Sequence, residues 1–185
     1  MSVPARRDSR DVELVVTVPD ALGGEIAREF SLRTTLGVLT ELIASAKQHV
    51  VMGAPFIQGA EGLLAEPLAT ALRSALERGV RIDIVSTGAS LEGLALAEFQ
   101  RVRGARLRTF QPRGNADNAR LLGSHAKFCM ADGQLAYVGS ANFTHRGLGG
   151  QLEIGVLLPG PAARQLWRLV ARFFEIGYLV EIPNS

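Results

Sequence analysis

The sequence predicts an α/β domain in which a mixed central β-sheet carries helices on both faces. Segments with helical apolar spacing alternate with short apolar segments typical of strands, and that alternation favours a sheet covered by helices. An Asp132-Gly133 dipeptide between two alternating segments adds a β-hairpin. The chain has 185 residues, 47% of them hydrophobic, which is enough for one domain with a buried core.

The N-terminal part is predicted to be a loose arm followed by a strand. Residues 11–18 alternate apolar and polar side chains, and Pro19 ends this pattern. A short helix is expected over residues 21–30. We therefore predict an N-terminal arm with the first strand over residues 1–33, and the main domain over residues 34–185.

Helices and strands then alternate through the main domain. Thr34 or Thr35 is placed to cap the first helix, and Gly79 and Gly104 are typical helix stops. The predicted helices span residues 34–47, 61–78, 90–103 and 162–176. The predicted strands span residues 50–56, 80–86, 105–110 and 151–158. Polar or glycine-rich loops are expected over residues 111–122 and 144–150.

A cluster of polar side chains is expected at the open end of the hairpin. Counting outward from a two-residue turn, the predicted pairs are Ala131 with Gln134, Lys127 with Val138, and His125 with Ser140. Paired residues share a face of the sheet, so His125, Lys127 and Ser140 are expected together. Asn142 follows two residues later and lies diagonally beside His125.

This combination of side chains suits a phosphate group. A neutral imidazole can act as nucleophile or general base, and Lys127 supplies a positive charge. Ser140 and Asn142 supply short hydrogen-bond donors for negative oxygens. No Cys/His spacing suggests a metal site, so neither a metal nor another cofactor is expected. Taken singly, each residue is equally well explained as part of the polar rim of an ordinary hairpin.

The complete spacing, His125-x-Lys127-x4-Asp132-x6-Gly139-Ser140-x-Asn142, resembles the signature of the phospholipase D superfamily, the His-Lys-Asp phosphodiesterases. The flanking residues, from Ser124-His-Ala-Lys-Phe through Gly139-Ser-Ala-Asn-Phe-Thr to Gly149-Gly-Gln-Leu-Glu-Ile-Gly-Val, are similar to the phospholipase-D-like proteins of the DISARM antiphage systems (DrmC). The resemblance implies a phospholipase D-like sandwich over residues 50–176, and it is specific only over residues 125–153.

The resemblance also implies a mechanism. One histidine attacks phosphorus, a second protonates the leaving oxygen, and water then cleaves the phosphohistidine. Since this chain has a single motif, the implied assembly is a homodimer in which each copy supplies His125, Lys127, Ser140 and Asn142. The two lysines would neutralise the phosphoryl oxygens without a metal.

The acidic and glycine residues of the motif are assigned separate roles. Superfamily members take an acid from the strand after the Gly-Ser motif to hold the nucleophile's ring, and Glu153 occupies that position here. The alternative for Glu153 is an exposed strand carboxylate. Asp132, Gly133 and Gly139 are interpreted as structural, because turn chemistry explains the aspartate.

A run of arginines precedes the hairpin. Its members within twenty residues are Arg101, Arg103, Arg106, Arg108, Arg113 and Arg120. The planar guanidinium suits phosphate, so Arg108, Arg113 and Arg120 are candidate substrate contacts. The alternative is a solvated helix end and strand.

The remaining histidines and the cysteine are expected to be structural or peripheral. His49 is expected at the end of the first helix, and His145 in the loop after Asn142, so neither is placed in the catalytic set. Cys129 cannot form an internal disulfide and is expected to be a small, partly buried side chain.

The function predicted from the sequence is a phosphodiesterase acting on nucleic acid, expected to be DNA, in antiphage defence. One alternative is a lipid phosphodiesterase or phosphatidyl transferase. Another is a DNA-binding component, with little catalysis of its own, that works beside other defence proteins. No apolar run reaches the ~20 residues of a membrane span, and residues 1–10 lack a secretory signal, so a cytoplasmic protein without a membrane partner is expected.

Overall fold

The protein is built on one mixed β-sheet. The computed structural model describes residues 11–19, 25–26, 29–30, 32–87, 96–102, 104–114 and 124–183. The strands in these residues are β1 (Glu13–Thr17), β2 (Arg33–Thr34), β3 (His49–Gly53), β4 (Arg81–Val85), β5 (Arg106–Pro112), β6 (Phe128–Ala131), β7 (Leu135–Gly139), β8 (Glu153–Pro159) and β9 (Leu179–Ile182). Their order is β2-β1-β8-β7-β6-β3-β4-β5-β9. The β1/β2, β3/β4 and β4/β5 pairs are parallel and the others antiparallel.

Helices cover both faces of this sheet, which confirms the predicted fold class. The helices are α1 (Thr35–Ser45), α2 (Leu68–Glu77), α3 (Ala97–Gln100) and α4 (Gly160–Glu175). The larger core joins one face of the sheet to α1, α2 and α3, and the smaller core joins the other face to α4. Two π-helical turns, π1 (Gly59–Leu63) and π2 (Arg146–Gly150), lie in the connections.

The predicted helix over residues 34–47 is observed as α1. Thr34 caps it, because its hydroxyl oxygen accepts a hydrogen bond from the Gly37 amide at 3.2 Å. The buried residues of α1 recur at helical spacing and face the larger core: Val38, Leu39, Leu42 and Ile43. His49 was expected at the end of this helix, but it is the first residue of β3.

The predicted helix over residues 61–78 is wrong at its start. Helix α2 begins only at Leu68, and the preceding segment contains π1 and a turn. Pro67 separates them, because proline has no amide hydrogen and restricts the residue before it. The helix ends as predicted at Gly79, whose φ of 80° is a left-handed conformation that glycine adopts without strain.

Other predictions meet the structure only in part. The loop expected over residues 144–150 forms π2, and neither β2 nor β9 was predicted. Much of the helices predicted over residues 21–30 and 90–103, and of the loop predicted over residues 111–122, lies outside the described residues. Strand β1 pairs with β8 through Thr17 and Glu153, so the N-terminal segment contributes to the same sheet as the hairpin.

The hairpin register differs from the predicted one by one residue. Ala131 pairs with Leu135 instead of Gln134, and Phe128 pairs with Val138. Asp132 and Gly133 both have positive φ, 53° and 66°, as the turn prediction requires. The extra loop residue is Gln134, whose carbonyl accepts a hydrogen bond from the Gly160 amide at 3.0 Å. The predicted pairing of His125 with Ser140 is therefore wrong.

Candidate active site

The open end of the β6–β7 hairpin lies beside the carboxyl ends of β3 and β4. Gly53, the last residue of β3, pairs with Phe128 on one side and Val85 on the other. His125 and Lys127 immediately precede β6 and therefore lie at this edge of the sheet. In α/β sheets, ligands commonly bind outside the carboxyl ends of the strands.

His125 and Lys127 are in direct contact. The Lys127 ammonium donates to the His125 carbonyl at 3.0 Å, and its Nζ lies 3.1 Å from the ring Nδ1. Lys127 is only 7% exposed, whereas His125 is exposed. Because an ammonium can only donate, the imidazole contacts it as an acceptor, and the Lys127 Nζ also lies 3.4 Å from the ring Nε2.

Glu153 is a buried carboxylate at the start of β8. It is 5% exposed, so the alternative of an exposed strand carboxylate does not describe it. One oxygen accepts from the Ser140 hydroxyl and the other from the Gln151 amide. Within the described residues both oxygens are engaged in this way, and the bond from Glu153 to His125 that the resemblance implies is not formed in this chain.

Lys127 and Glu153 influence each other electrostatically. Burial lowers the pKa of Lys127, because the uncharged amine is easier to bury, and the negative charge of Glu153 partly opposes that shift. Glu153 therefore helps to keep the Lys127 ammonium protonated. A positive charge in such a water-poor setting can stabilise negative oxygens strongly.

Ser140 and Asn142 differ from each other in how they are engaged. The Ser140 hydroxyl donates to Glu153 and accepts from the Ile154 amide at 3.1 Å, so it is held in place by β8. The Asn142 side-chain oxygen is buried and has no hydrogen-bond partner within the described residues. An unpartnered buried acceptor costs about 1–3 kcal/mol, so Asn142 is poised to accept a donor.

The ring of Tyr137 packs against Gly139 and Gly155, which are paired residues on β7 and β8. A Cβ on Gly139 would lie 2.3 Å from the Tyr137 hydroxyl oxygen, and a Cβ on Gly155 would lie 2.5 Å from the ring. Glycine is required at both positions by this close approach. Tyr137 is 0% exposed, and burial raises the pKa of its phenol, with Thr35 and the Ala141 backbone acting in the opposite direction.

Asp132 lies at the opposite end of the hairpin, where it connects the turn to the segment between α1 and β3. Its carboxylate accepts hydrogen bonds from the amides of Lys47, Gln48 and His49 at 2.8, 2.9 and 2.8 Å. These contacts tie the hairpin turn to the segment between α1 and β3. Turn chemistry alone therefore does not account for this aspartate.

The predicted arginine contacts are placed differently from one another. Arg108 binds Asp83 through two hydrogen bonds of 2.9 and 2.8 Å on the α4 face of the sheet, and His49 bonds the same carboxylate. Burial alone would raise the pKa of Asp83, but the bonds from His49 and Arg108 outweigh it and lower that pKa. Arg108 is thus engaged in an ion pair on the α4 face, and the substrate contact expected for it stays a prediction.

Of the other two arginines predicted to contact the substrate, only Arg113 lies in the described residues. Arg113 is exposed just after β5, at the same edge of the sheet as the carboxyl ends of β3 and β4. Arg120 lies outside the described residues.

Comparison with known proteins identifies the family and the fold of the chain. The family model described as "Cardiolipin synthase, PLD-like domain" matches residues 39–175, which is most of the chain. The chain belongs to the phospholipase D-like family. No curated protein matches the sequence.

Solved structures share the phospholipase D-like fold at low sequence identity. NucT from Helicobacter pylori has a TM-score of 0.62 at 14% identity, with 93% of this chain and 100% of that chain covered. Nuc, a phospholipase D family member from Salmonella typhimurium, has a TM-score of 0.61 at 17% identity, with 94% and 100% covered. Phosphatidylserine synthase from Haemophilus influenzae has a TM-score of 0.64 at 17% identity, with 92% and 39% covered. The chain therefore has the fold of the phospholipase D superfamily of phosphodiesterases.

Sequence reasoning missed two contributors to this phospholipase D-like site. Gln151 holds the second oxygen of Glu153, and nothing in its sequence context indicates that contact. Tyr137 was not singled out, although the missing side chains of Gly139 and its strand partner Gly155 leave room for a large neighbouring ring. Among the described residues, no helix is long and apolar enough to cross a membrane.

Proposed function

We propose that this phospholipase D-like protein is a metal-independent phosphodiesterase that cleaves nucleic acid, with DNA as its substrate. The observation that carries the proposal is the exposed His125 imidazole held against the buried Lys127 ammonium, with Glu153 close enough to influence that charge. An imidazole beside a fixed cation is suited to attack a phosphodiester and to stabilise the negative oxygens that result.

The proposed reaction consists of two successive displacements at phosphorus. A His125 ring nitrogen forms a bond to phosphorus, the bond from phosphorus to the leaving oxygen breaks, and the second His125 donates a proton to that oxygen. Water then attacks phosphorus, the phosphorus–nitrogen bond breaks, and the second histidine takes the proton from water. Lys127 and Asn142 would contact the phosphoryl oxygens, while Glu153 would support the charge of the site through Lys127 and hold Ser140.

The second histidine would come from a second copy of the chain. Support for this comes from an exposed apolar strip on β8 and β1 next to Ser140, beyond the part of the sheet that α4 covers. Its members are 50–63% exposed: Val12, Leu14, Leu152 and Ile154. The Ser140 amide donates a hydrogen bond to the Ile154 carbonyl, so Ser140 lies next to this strip. Association of two chains through the strip would bring the open ends of their hairpins together.

The first experiment compares wild type and His125→Ala on single- and double-stranded DNA in excess EDTA. We expect cleavage by wild type only, with DNA binding retained in the variant. A protein–DNA conjugate joined through a phosphorus–nitrogen bond, labile to acid and stable to alkali, should be trapped by rapid denaturation. Equal cleavage by the two proteins, or loss of wild-type cleavage in EDTA, would contradict the proposal.

A mixing experiment tests the shared site. If both histidines are needed, inactive His125→Ala chains that exchange into wild-type dimers should make activity fall with the square of the wild-type fraction. A linear fall would show that one chain is sufficient.

A second candidate function is phosphatidyl transfer or lipid phosphodiester hydrolysis. It is favoured by the fold shared with phosphatidylserine synthase and by the family description. Headgroup release from phospholipid vesicles, lost in His125→Ala, would establish it. We favour nucleic acid because Arg113 lies at the same edge of the sheet as His125 and Arg146 lies in the connection after Asn142. We place the activity in antiphage defence beside other defence proteins, on the resemblance of the motif region to DrmC.

A further inference from the structure

A polar cavity lies beside the candidate active site. It has a volume of about 320 Å³ and is bounded by the residues around the two π-helical turns, so we call it the π-turn pocket. Asn142 and Gln151 belong to its wall, and Gln151 also holds Glu153. A group bound in this pocket would therefore lie next to the phosphate that His125 attacks.

The pocket is preformed by close backbone contacts. The Gln58 amide donates to the Phe143 carbonyl at 2.9 Å, and the Gln58 side chain accepts from the His145 amide at 3.0 Å. A Cβ on Gly62 would lie 2.3 Å from the Phe143 carbonyl oxygen, so π1 packs directly against the segment that leads into π2. π-helical turns occur often at functional sites, and rigid walls reduce the entropy lost on binding.

The side chains of the pocket combine one aromatic ring with polar groups, the cationic Arg146 and the carboxylate of Glu61. Phe56 is the one apolar member among the described residues that line it, and it is 47% exposed. Arg146 and His145 lie on the opposite segment and are exposed. The side-chain amides of Asn142 and Gln151 stand nearest the candidate active site. Such a lining suits a flat heterocycle with an attached phosphate and does not suit an acyl chain.

We propose that the π-turn pocket binds one unstacked nucleotide next to the cleaved phosphate, which makes single-stranded nucleic acid the preferred substrate. The base stacks on Phe56, and Arg146 contacts the adjoining phosphate. This inference rests on the proposed nuclease function. A base paired within a duplex would have to leave its stack to reach Phe56, so duplex is disfavoured.

The test measures binding separately from cleavage. His125→Ala protein and its double variants are titrated into fluorescein-labelled single-stranded and duplex oligonucleotides of the same sequence, and the anisotropy is followed. We expect tighter binding of the single strand. Adding Phe56→Ala should weaken single-strand binding about ten-fold, in keeping with the contribution of one base–aromatic stack, and leave duplex binding unchanged. Phe56→Trp should retain the affinity.

Two further variants sharpen the result. Leu169→Ala removes a similarly exposed apolar side chain from α4 and should have no effect on binding. Arg146→Ala should weaken binding. It should also reduce the slope of log K against log salt concentration by about one, as loss of one phosphate contact predicts.

The outcomes separate this inference from the proposed function. If wild type cleaves DNA but Phe56→Ala binds the single strand normally, the pocket inference fails and the nuclease proposal stands. Equal affinity for single strand and duplex, or equal loss of both in Phe56→Ala, also overturns the inference. If wild type cleaves no nucleic acid but single-strand binding depends on Phe56, the pocket inference stands and the cleavage proposal fails.

Discussion

Lys127 and Glu153 are buried residues of opposite charge, and the charge of Glu153 acts on Lys127. Burial lowers the pKa of Lys127, and Glu153 opposes that shift, so Glu153→Gln should lower the pKa further. Lys127 would then lose its proton at lower pH. We expect the alkaline limb of the pH–rate profile for DNA cleavage to move to lower pH in Glu153→Gln. Glu175→Gln, which alters an exposed carboxylate on α4, is the control. If the alkaline limb does not move, Glu153 does not influence the pKa of Lys127.

Gly139 and Gly155 are required by the ring of Tyr137 rather than by backbone conformation. We expect Gly139→Ala and Gly155→Ala each to lower the free energy of unfolding by about 1–3 kcal/mol, as overpacking in a core does. Adding Tyr137→Phe removes the hydroxyl that a Cβ on Gly139 would meet first, so it should recover more of the loss there than at Gly155, where the ring carbon is met first. Urea denaturation of the single and double variants measures both effects.

The hairpin element is held at its turn by Asp132. Replacing it with alanine removes three hydrogen bonds to a charged group and places alanine at φ 53°, so we expect a loss of about 2–3 kcal/mol in unfolding free energy. Asp132→Asn should lose less, because asparagine tolerates positive φ and keeps one acceptor oxygen. Thermal and urea unfolding of both variants provide the measurement. Equal losses would mean that neither conformation nor the retained acceptor matters.

The elements that the sequence predicted well are those with a strong local pattern. The apolar spacing of α1 and α4 and the alternation in β1 and β8 are properties of short segments, and these elements were found close to their predicted bounds. The hairpin register was wrong because Gln134 is held in the loop by its bond to Gly160, a contact that the local sequence does not show. The break at Pro67 was visible in the sequence and was overlooked.

The candidate site shows the same division between local and distant information. The proximity of His125 and Lys127 follows from their spacing, and the structure places them in contact. The bond from Ser140 to Glu153 depends on the β7/β8 register, and the pairing of Arg108 with Asp83 depends on the β4/β5 register. Charge patterns along one segment cannot reveal such partners on another strand.

At the scale of the whole molecule, Cys129 can report global unfolding. It lies in β6 between β3 and β7, it is fully buried, and burial raises the pKa of its thiol to about 12. The thiolate is the reactive form, so we expect negligible reaction with a disulfide reagent at pH 8 until the protein unfolds. A Gln165→Cys variant, exposed on α4, should react at once and is the control. Rapid labelling of Cys129 in the native protein would contradict the burial described here.

Phe56, on which the base is proposed to stack, and the residues proposed for the chemistry lie in separate stretches of the chain. All residues assigned to phosphodiester cleavage lie on the consecutive strands β6, β7 and β8 and their connections, whereas Phe56 belongs to the connection after β3. Mutations around Phe56 could therefore alter which polymer is cut while leaving the motif segment untouched. Related chains could diverge in substrate through that one connection, and a laboratory library confined to it would search for new specificities at little risk to turnover.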